Sequence, residues 1–327
     1  MIYENLNDIA DEFDVFLFDA YGVFWEGNGF YPNSRETMHG LIKKGKTVVV
    51  LSNTTQLRED AVQKYTERGL IEKRDYDFLI TSGDLLQNVL QSGILEFQSL
   101  KKPHFYYVIG QPHQKAFENT IYEQTNQIEK ADFAYCGVPF IYETDIEKYP
   151  QYKDQYLPAK ADNQGRVLVW DSLTTAPFEH IVDCIAKRHI PILNANPDFT
   201  AREGHPLVAG RGSDFVVRNG AIAQMFRNKG AEVLEFGKPH CNIYDFAFTK
   251  LAEQQIIVNK ARCCMIGDTV RTDIKGAVHS GIVPILCVDT GVTAEEISLG
   301  NSVEKLCQTE NIDVQQVIQI KSVGGKK

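Results

Sequence analysis

The sequence predicts an α/β protein, a doubly wound parallel sheet interrupted by a large inserted α/β domain. Three observations carry that prediction. Short apolar runs such as Val15-Phe16-Leu17-Phe18 and Thr47-Val48-Val49-Val50-Leu51 read as strands buried on both faces. These runs alternate with helical segments at the spacing of βαβ units. At 327 residues the chain also exceeds what one compact core usually organises, so a second domain is expected.

The first strand, Val15 to Phe18, delivers Asp19 at its C-terminal end, and Gly22 lets the backbone turn three residues later. Ligands of open α/β sheets bind just outside the C-terminal strand ends, which makes Asp19 a candidate for chemistry. A loop from Trp25 to Tyr31 leads to a helix from about Asn33 to Lys44, with Asn33 or Ser34 as its cap and Gly45 closing it. The second strand ends at Ser52-Asn53-Thr54-Thr55. A polar helix then reaches Gly69, and Tyr76 to Ile80 forms a third strand ending at Thr81-Ser82-Gly83.

From Asp84 to Ala231 the alternation continues without a second set of strand-end carboxylates. Phe105–Ile109, Phe133–Cys136, Val167–Trp170 and Ile192–Asn194 read as its strands. The expected division is therefore a core of 1–83 and 232–327 around an inserted domain of 84–231. Tyr142 to Gly165, with Pro150 and Pro158, reads as a solvated surface insertion. Gly210-Arg211-Gly212-Ser213 reads as ordinary capping before an anion-binding nest.

Glu232 to Phe236 is expected to return to the core sheet and to end at Gly237-Lys238-Pro239. After a helix from about Asn242 to Gln254, Arg262–Ile266 forms another buried strand, followed by Gly267-Asp268 and then Thr272-Asp273-Ile274. A helix reaches Gly281, and Pro284–Val288 is the last core strand. Beyond Gly300 the pattern gives a helix and a frayed Gly-Gly-Lys-Lys tail.

Composition excludes several function classes. A formal charge of −9 argues against nonspecific nucleic-acid binding, which needs a basic footprint. No apolar run approaches the roughly 18 residues of a membrane span. The acidic start lacks the layout of a signal peptide. Seven cysteines without a CxxC pair indicate neither a disulfide framework nor a zinc ribbon, and reduced thiols in the cytoplasm fit best.

Four strand ends of one sheet thus carry Asp19, Ser52-Asn53, Lys238 and Asp268 with Asp273. Each has a bland role when taken singly: Ser52 in a turn, Lys238 as a solvated cation, Gly267-Asp268…Asp273 as a helix cap. His205, His240 and His279 read as surface or satisfied histidines. Together, the carboxylates Asp19 and Asp268 can share Mg²⁺, which accepts one or two carboxylates plus water and phosphate oxygens. The cation cancels the repulsion between carboxylate and phosphate. Ser52 and nearby amides can hold phosphoryl oxygens, and Lys238 can neutralise developing charge. Asp19 is then the nucleophile, forming an aspartyl-phosphate that water hydrolyses.

The ordered set Asp19-Ala20-Tyr21-Gly22-Val23, Leu51-Ser52-Asn53, Gly237-Lys238-Pro239 and Gly267-Asp268 with Thr272-Asp273-Ile274 resembles the four motifs of haloacid-dehalogenase-like (HAD) hydrolases. The inserted block resembles the large C2-type cap of their class IIA branch, which includes p-nitrophenylphosphatases and sugar-phosphate phosphatases. Asn196-Pro197-Asp198 is similar to that branch's substrate-facing cap loop, and Asp289-Thr290-Gly291-Val292-Thr293 to its closing core segment. The resemblance implies Mg²⁺ held by Asp19, the Tyr21 carbonyl and Asp268, with Asp273 in support. It implies phosphoryl binding by Gly22, Ser52, Asn53 and Lys238, and a small phosphorylated metabolite or aryl phosphate as substrate. A homodimer is compatible with it.

One position departs from the family pattern. The phosphatases usually carry a second Asp two residues after the nucleophile as general acid and base, and here that residue is Tyr21, a poor base at neutral pH. Losing such a group typically costs about 10²–10⁴-fold in rate. Two other readings therefore stay open at this stage. A 2-haloacid dehalogenase fits Asp-Ala-Tyr-Gly but has no use for the Asp268/Asp273 pair. A catalytically silent module would bind a phosphorylated ligand or a protein partner.

Overall fold

A computed structural model describes residues 2–26, 29–110, 114–142, 166–168, 175–204 and 213–325. Seven parallel strands form the larger sheet, in the order Ile2–Asn5, Ile318–Ser322, Val283–Cys287, Cys263–Gly267, Val15–Phe18, Thr47–Ser52, Phe78–Thr81. Val15–Phe18 lies between Cys263–Gly267 and Thr47–Ser52, so Asp19 leaves the middle of the sheet flanked by the strands that carry Asp268 and Ser52.

Alternation along these strands divides the side chains between two apolar layers, as a period of two requires. Val15, Leu17, Val49, Leu51, Cys263 and Met265 pack with Leu85, Leu86 and Leu90 of the helix Ser82–Ser92 and with Ile243, Ala247 and Leu251 of the helix Cys241–Glu253. Phe16, Phe18, Val48, Val50, Cys264 and Ile266 face the other way, onto Met38 and Leu41 of the helix Ser34–Lys43 and Ala61 and Tyr65 of the helix Arg58–Glu67. Cys263 and Cys264 therefore enter opposite layers, and burial raises both thiols. All seven cysteines are free.

The second sheet has five parallel strands, in the order Val233–Glu235, Ile192–Asn194, Phe133–Cys136, Phe105–Ile109, Glu123–Gln124. One face carries Ala134, Cys136 and Ile192 against the helices Glu179–Ala186 and Asn219–Asn228. The other carries Phe133, Tyr135 and Leu193 into the same apolar layer as Leu17 and Met265 of the larger sheet. No helix among the described residues is long and apolar enough to cross a membrane.

Four sequence expectations change. The stretch Glu232–Phe236 does not return to the larger sheet, because Val233–Glu235 is the edge strand of the smaller one, paired with Ile192–Asn194. An edge strand with Val233 and Leu234 half-buried has the apolar content of either sheet, so composition could not assign it. The chain end is also more ordered than expected. Ile318–Ser322 is a core strand between Val283–Cys287 and Ile2–Asn5, and Gly324 lies against the backbone of Pro32 and Asn33 with no room for a Cβ. Neither Asn33 nor Ser34 caps its helix by a side-chain bond. Asn33 takes a left-handed φ of 55°, and the Ser34 hydroxyl donates to the carbonyls of Phe24 and Tyr31. Finally, Arg166–Leu168 pairs in a hairpin with Phe140–Tyr142 and not with the five-stranded sheet. Most of the tyrosine-spotted stretch, His205 and the 210–212 part of the glycine-flanked motif lie outside the described residues.

Candidate active site

The turn after Val15–Phe18 fixes the first carboxylate. The Asp19 amide donates to the Ile266 carbonyl of the neighbouring strand, and the amides of Phe24 and Trp25 donate back to the Ala20 carbonyl. Gly22 closes this turn at φ 81°, where a side chain would be strained, and a Cβ there would lie 2.1 Å from Asp268 Oδ2. Gly291 makes the opposing approach, with a virtual Cβ 1.8 Å from the same oxygen. Two loops therefore close onto one carboxylate because neither has a side chain at the contact. Thr290 ties them by donating from its hydroxyl to the Gly22 carbonyl at 2.6 Å.

Asp268 and Asp273 are both buried. Asp268 Oδ2 accepts from the Val292 amide at 2.6 Å, and its Oδ1 accepts from the Thr269 hydroxyl at 3.2 Å. Asp273 Oδ2 accepts from the Thr269 amide at 3.2 Å. Lys238 enters from the opposite side, 1% exposed, with Nζ 2.6 Å from Asp19 Oδ1 and 2.8 Å from Asp273 Oδ1. Burial opposes its charge, but Asp19, Asp273 and Asp198 outweigh burial and hold Lys238 firmly protonated.

Ligand oxygens of Asp19, Asp268 and Asp273 all lie within 4.8 Å of one another. One ammonium faces these three carboxylates, and the imbalance is visible in their proton affinities. Burial, then the charges of Asp273 and Asp19, push Asp268 well above the ordinary carboxylate range. Asp273 is raised by burial as well, with Lys238 the main opposing influence. A divalent cation would remove that imbalance, and an all-oxygen donor set with two or three carboxylates fits a hard ion such as Mg²⁺.

The second and third motifs meet in Asn53. Its Oδ1 accepts from the Lys238 amide at 2.7 Å, while Nδ2 donates to the Lys238 carbonyl at 3.0 Å and to Asp198 Oδ1 at 2.9 Å. The amide is thus fully engaged in tying Lys238 to the loop of the smaller sheet. Asn196 builds that loop, its Oδ1 accepting from the Asp198 amide at 3.0 Å, so it shapes the loop from within. Asp198 is brought to the charged cluster. Burial, followed by the charge of Asp19, pushes it up to about 6 against the pull of Lys238, Asn53 and Thr272. Ser52 is buried beside Asp19, its hydroxyl accepting from the Thr54 amide at 3.2 Å and contacting the Tyr65 phenol.

The Tyr21 side chain is half-buried. Its hydroxyl accepts from Lys64 Nζ at 3.0 Å, and its ring lies 6.2 Å from that of Trp25. Lys64 and Tyr65 were not legible as site residues. Their helix Arg58–Glu67 is polar overall, and the one signal was the buried pair Ala61 and Tyr65 at a spacing of four. His240 is accounted for by Glu235, 3.0 Å from its Nε2.

Comparisons with known proteins find likeness along most of the chain. Residues 16–120 match the haloacid dehalogenase-like hydrolase model, and residues 235–305 match a HAD-hydrolase-like model. The chain is 26% identical over 309 residues to phosphoglycolate phosphatase 2 of Arabidopsis thaliana, spanning 92% of this chain and 91% of that one. It is 25% identical over 295 residues to the 4-nitrophenylphosphatase of Schizosaccharomyces pombe, spanning 88% of each. A solved haloacid dehalogenase-like hydrolase of Brucella suis superposes with a TM-score of 0.69 at 20% identity, covering 98% of this chain and 100% of that one. Models matching both halves of the core, and a parallel α/β architecture shared along nearly the whole length, make the chain similar to the haloacid-dehalogenase-like hydrolases and, among them, to phosphatases.

Proposed function

We propose that this chain is a Mg²⁺-dependent phosphatase of small phosphorylated metabolites or aryl phosphates, working through a phosphoryl group carried on Asp19. The observation that carries the reading is the Lys238 ammonium between Asp19 and Asp273, 2.6 and 2.8 Å away, with Asp268 closing the cluster. Phosphatases among the relatives support it. In this reading Asp19, the Tyr21 carbonyl and Asp268 hold the ion, with Asp273 orienting Lys238. When bound, Mg²⁺ supplies charge neutralisation that lets a phosphate approach carboxylates.

Asp19 attacks phosphorus because Lys238 orients its carboxylate and screens the incoming charge. Ser52 and the amides of the Gly22 turn offer donors to phosphoryl oxygens. Asn53 acts by positioning Lys238 and Asp198, since its own amide is fully occupied. The five-stranded domain, with the Asn196–Asp198 loop over the strand ends, is the cap that covers the substrate. A dehalogenase would leave the buried Asp268 and Asp273 without a cation to serve. The test is turnover of p-nitrophenyl phosphate with and without Mg²⁺, in the natural chain and in Asp19→Asn. We expect Mg²⁺-dependent release of phosphate and a loss of about 10⁴-fold or more in the variant. Turnover that survives Asp19→Asn would refute the reading.

A further inference from the structure

The family's usual proton carrier is missing at position 21, and the structure offers no replacement on the same loop. The Tyr21 hydroxyl is engaged by Lys64 at 3.0 Å. Tyr65 is buried against Trp25 and is raised far above the ordinary phenol range, first by burial. Lys238 is held as a cation by its carboxylate neighbours. Asp268 and Asp273 face the ion position and Lys238. Among the described residues, one carboxyl group at the cluster has none of these duties.

Resting on the phosphatase reading above, we propose that Asp198 of the cap loop is the proton carrier of this enzyme, in place of the carboxylate that position 21 lacks. Asp198 is placed by three contacts that do not depend on substrate. Asn53 Nδ2 donates to its Oδ1 at 2.9 Å, its own amide donates to Asn196 Oδ1 at 3.0 Å, and its carbonyl accepts from the Gly220 amide at 3.0 Å. Gly220 allows that last approach, since a Cβ there would lie 2.1 Å from the Pro197 carbonyl oxygen. The loop is thus clamped between Asn53 of the core and the helix Asn219–Asn228 of the cap, with Asp198 half-buried over the strand ends. In-line displacement puts the departing oxygen on the face of phosphorus opposite Asp19, toward the cap.

The step balances as follows. A carboxylate oxygen of Asp19 bonds to phosphorus as the ester P–O bond breaks, and the departing oxygen takes the proton of Asp198. Water then attacks phosphorus and gives its proton to the Asp198 carboxylate, while the P–O bond to Asp19 breaks. Phosphate and alcohol leave, and Asp198 is protonated again. The groups facing Asp198 are Asp19, Lys238, Asn53 and Thr272. Burial and Asp19 raise it, and the other three lower it, to about 6. Such a group is available in both protonation states near neutrality, as one carrier of both steps must be.

The experiment compares an alkyl ester, glycerol phosphate, with an aryl ester, p-nitrophenyl phosphate, at saturating Mg²⁺. A strongly basic alkoxide needs the proton and a nitrophenolate does not. In Asp198→Asn, kcat for glycerol phosphate should fall about 10²–10⁴-fold, with a much smaller fall in the release of nitrophenol during the first turnover. Asp198→Glu should restore part of the alkyl activity. The unmutated enzyme gives an independent readout. Its alkyl kcat should fall as rising pH removes the Asp198 proton, whereas aryl turnover limited by hydrolysis of the phospho-enzyme should rise. Calorimetric Mg²⁺ binding and circular dichroism of each variant report whether the site is intact. Equal losses of alkyl kcat and of first-turnover nitrophenol release in a folded, Mg²⁺-binding Asp198→Asn, or an unchanged pH profile in that variant, would overturn the proposal. Selective loss of alkyl turnover in Tyr21→Phe would also overturn it. Absence of Asp19-dependent turnover on either ester would instead refute the phosphatase reading and remove the basis of this one.

Discussion

The two flanks of Asp19 are built from opposite materials. On one side lie Asp268, Asp273 and Lys238, all buried, with the ammonium paired to Asp273 and Asp19 and with Asp268 held by the Val292 amide and the Thr269 hydroxyl. On the other lie Tyr21, Trp25 and Tyr65, with ring centroids 5.4 Å apart between Trp25 and Tyr65 and Lys64 Nζ 5.5 Å from the Tyr21 ring centre. In the proposed reading the charged flank binds the cation and the phosphoryl group. The aromatic flank occupies the place from which the family's usual acid would act, and it is organised for packing. Binding and proton transfer are therefore separable here, and substitutions on the two flanks should fail in different ways.

The largest effect is expected at Lys238. Lys238→Met keeps an aliphatic stem but leaves Asp19 and Asp273 without the ammonium that separates them. Breaking a buried pair in this way costs about 3–5 kcal/mol, because the remaining charges have no compensation. Denaturant unfolding should register that loss, and phosphatase turnover should fall by at least about 10²-fold, as for removal of a transition-state donor. A variant of unaltered stability would show that the charged flank is not held together by Lys238.

Asp268 should behave in the opposite sense when Mg²⁺ is absent. Its proton affinity is raised in the folded state, so the folded chain binds that proton more tightly than the unfolded one. Stability is then greatest below the ordinary Asp range, near about 4, and is lost as pH rises from there. Asp268→Asn should flatten that decline and be neutral or stabilising without the ion. With Mg²⁺ at about 100 times its Kd, the natural chain should gain about 2.7 kcal/mol and the variant almost nothing. Thermal melts across pH, with and without Mg²⁺, read both effects. A full Mg²⁺ response in the variant would displace Asp268 from the ion site.

The same contrast explains what could be read from the sequence. Strand-end motifs are local: Asp19, Ser52 and Asp268 each follow an apolar run of the larger sheet, and parallel pairing brings their ends together without further information. The strand Val233–Glu235 was misassigned because sheet membership is a long-range choice, settled by Ile192–Asn194 lying alongside it. Ile318–Ser322 was missed because its alternating polar residues hide a single buried Ile320. Asn53 was legible as a motif residue, but not as a clamp. Its three hydrogen bonds reach two residues, 145 and 185 positions away, and no spacing rule reaches that far. Lys64 and Tyr65 belong to the same class, joined to the site through Tyr21 and Ser52 alone.

The smallest effect is expected at Tyr21. Tyr21→Phe deletes a hydroxyl whose partner among the described residues is Lys64, and it keeps the ring against Trp25. The Tyr21 carbonyl, the atom proposed above as a ligand of the ion, is untouched by the change. Lys64 is half-buried and can turn its ammonium to water, so it need not be left unsatisfied. The loss should therefore be that of one ordinary hydrogen bond, about 1 kcal/mol in denaturant unfolding. The ratio of alkyl to aryl turnover should not move, because the phenol carries no proton in the reaction. Affinity for Mg²⁺, measured by calorimetry, should match that of the natural chain within about twofold, a difference of about 0.4 kcal/mol. A selective collapse of alkyl-ester turnover would place Tyr21 in the chemistry, and the aromatic flank would then be a working part of the site.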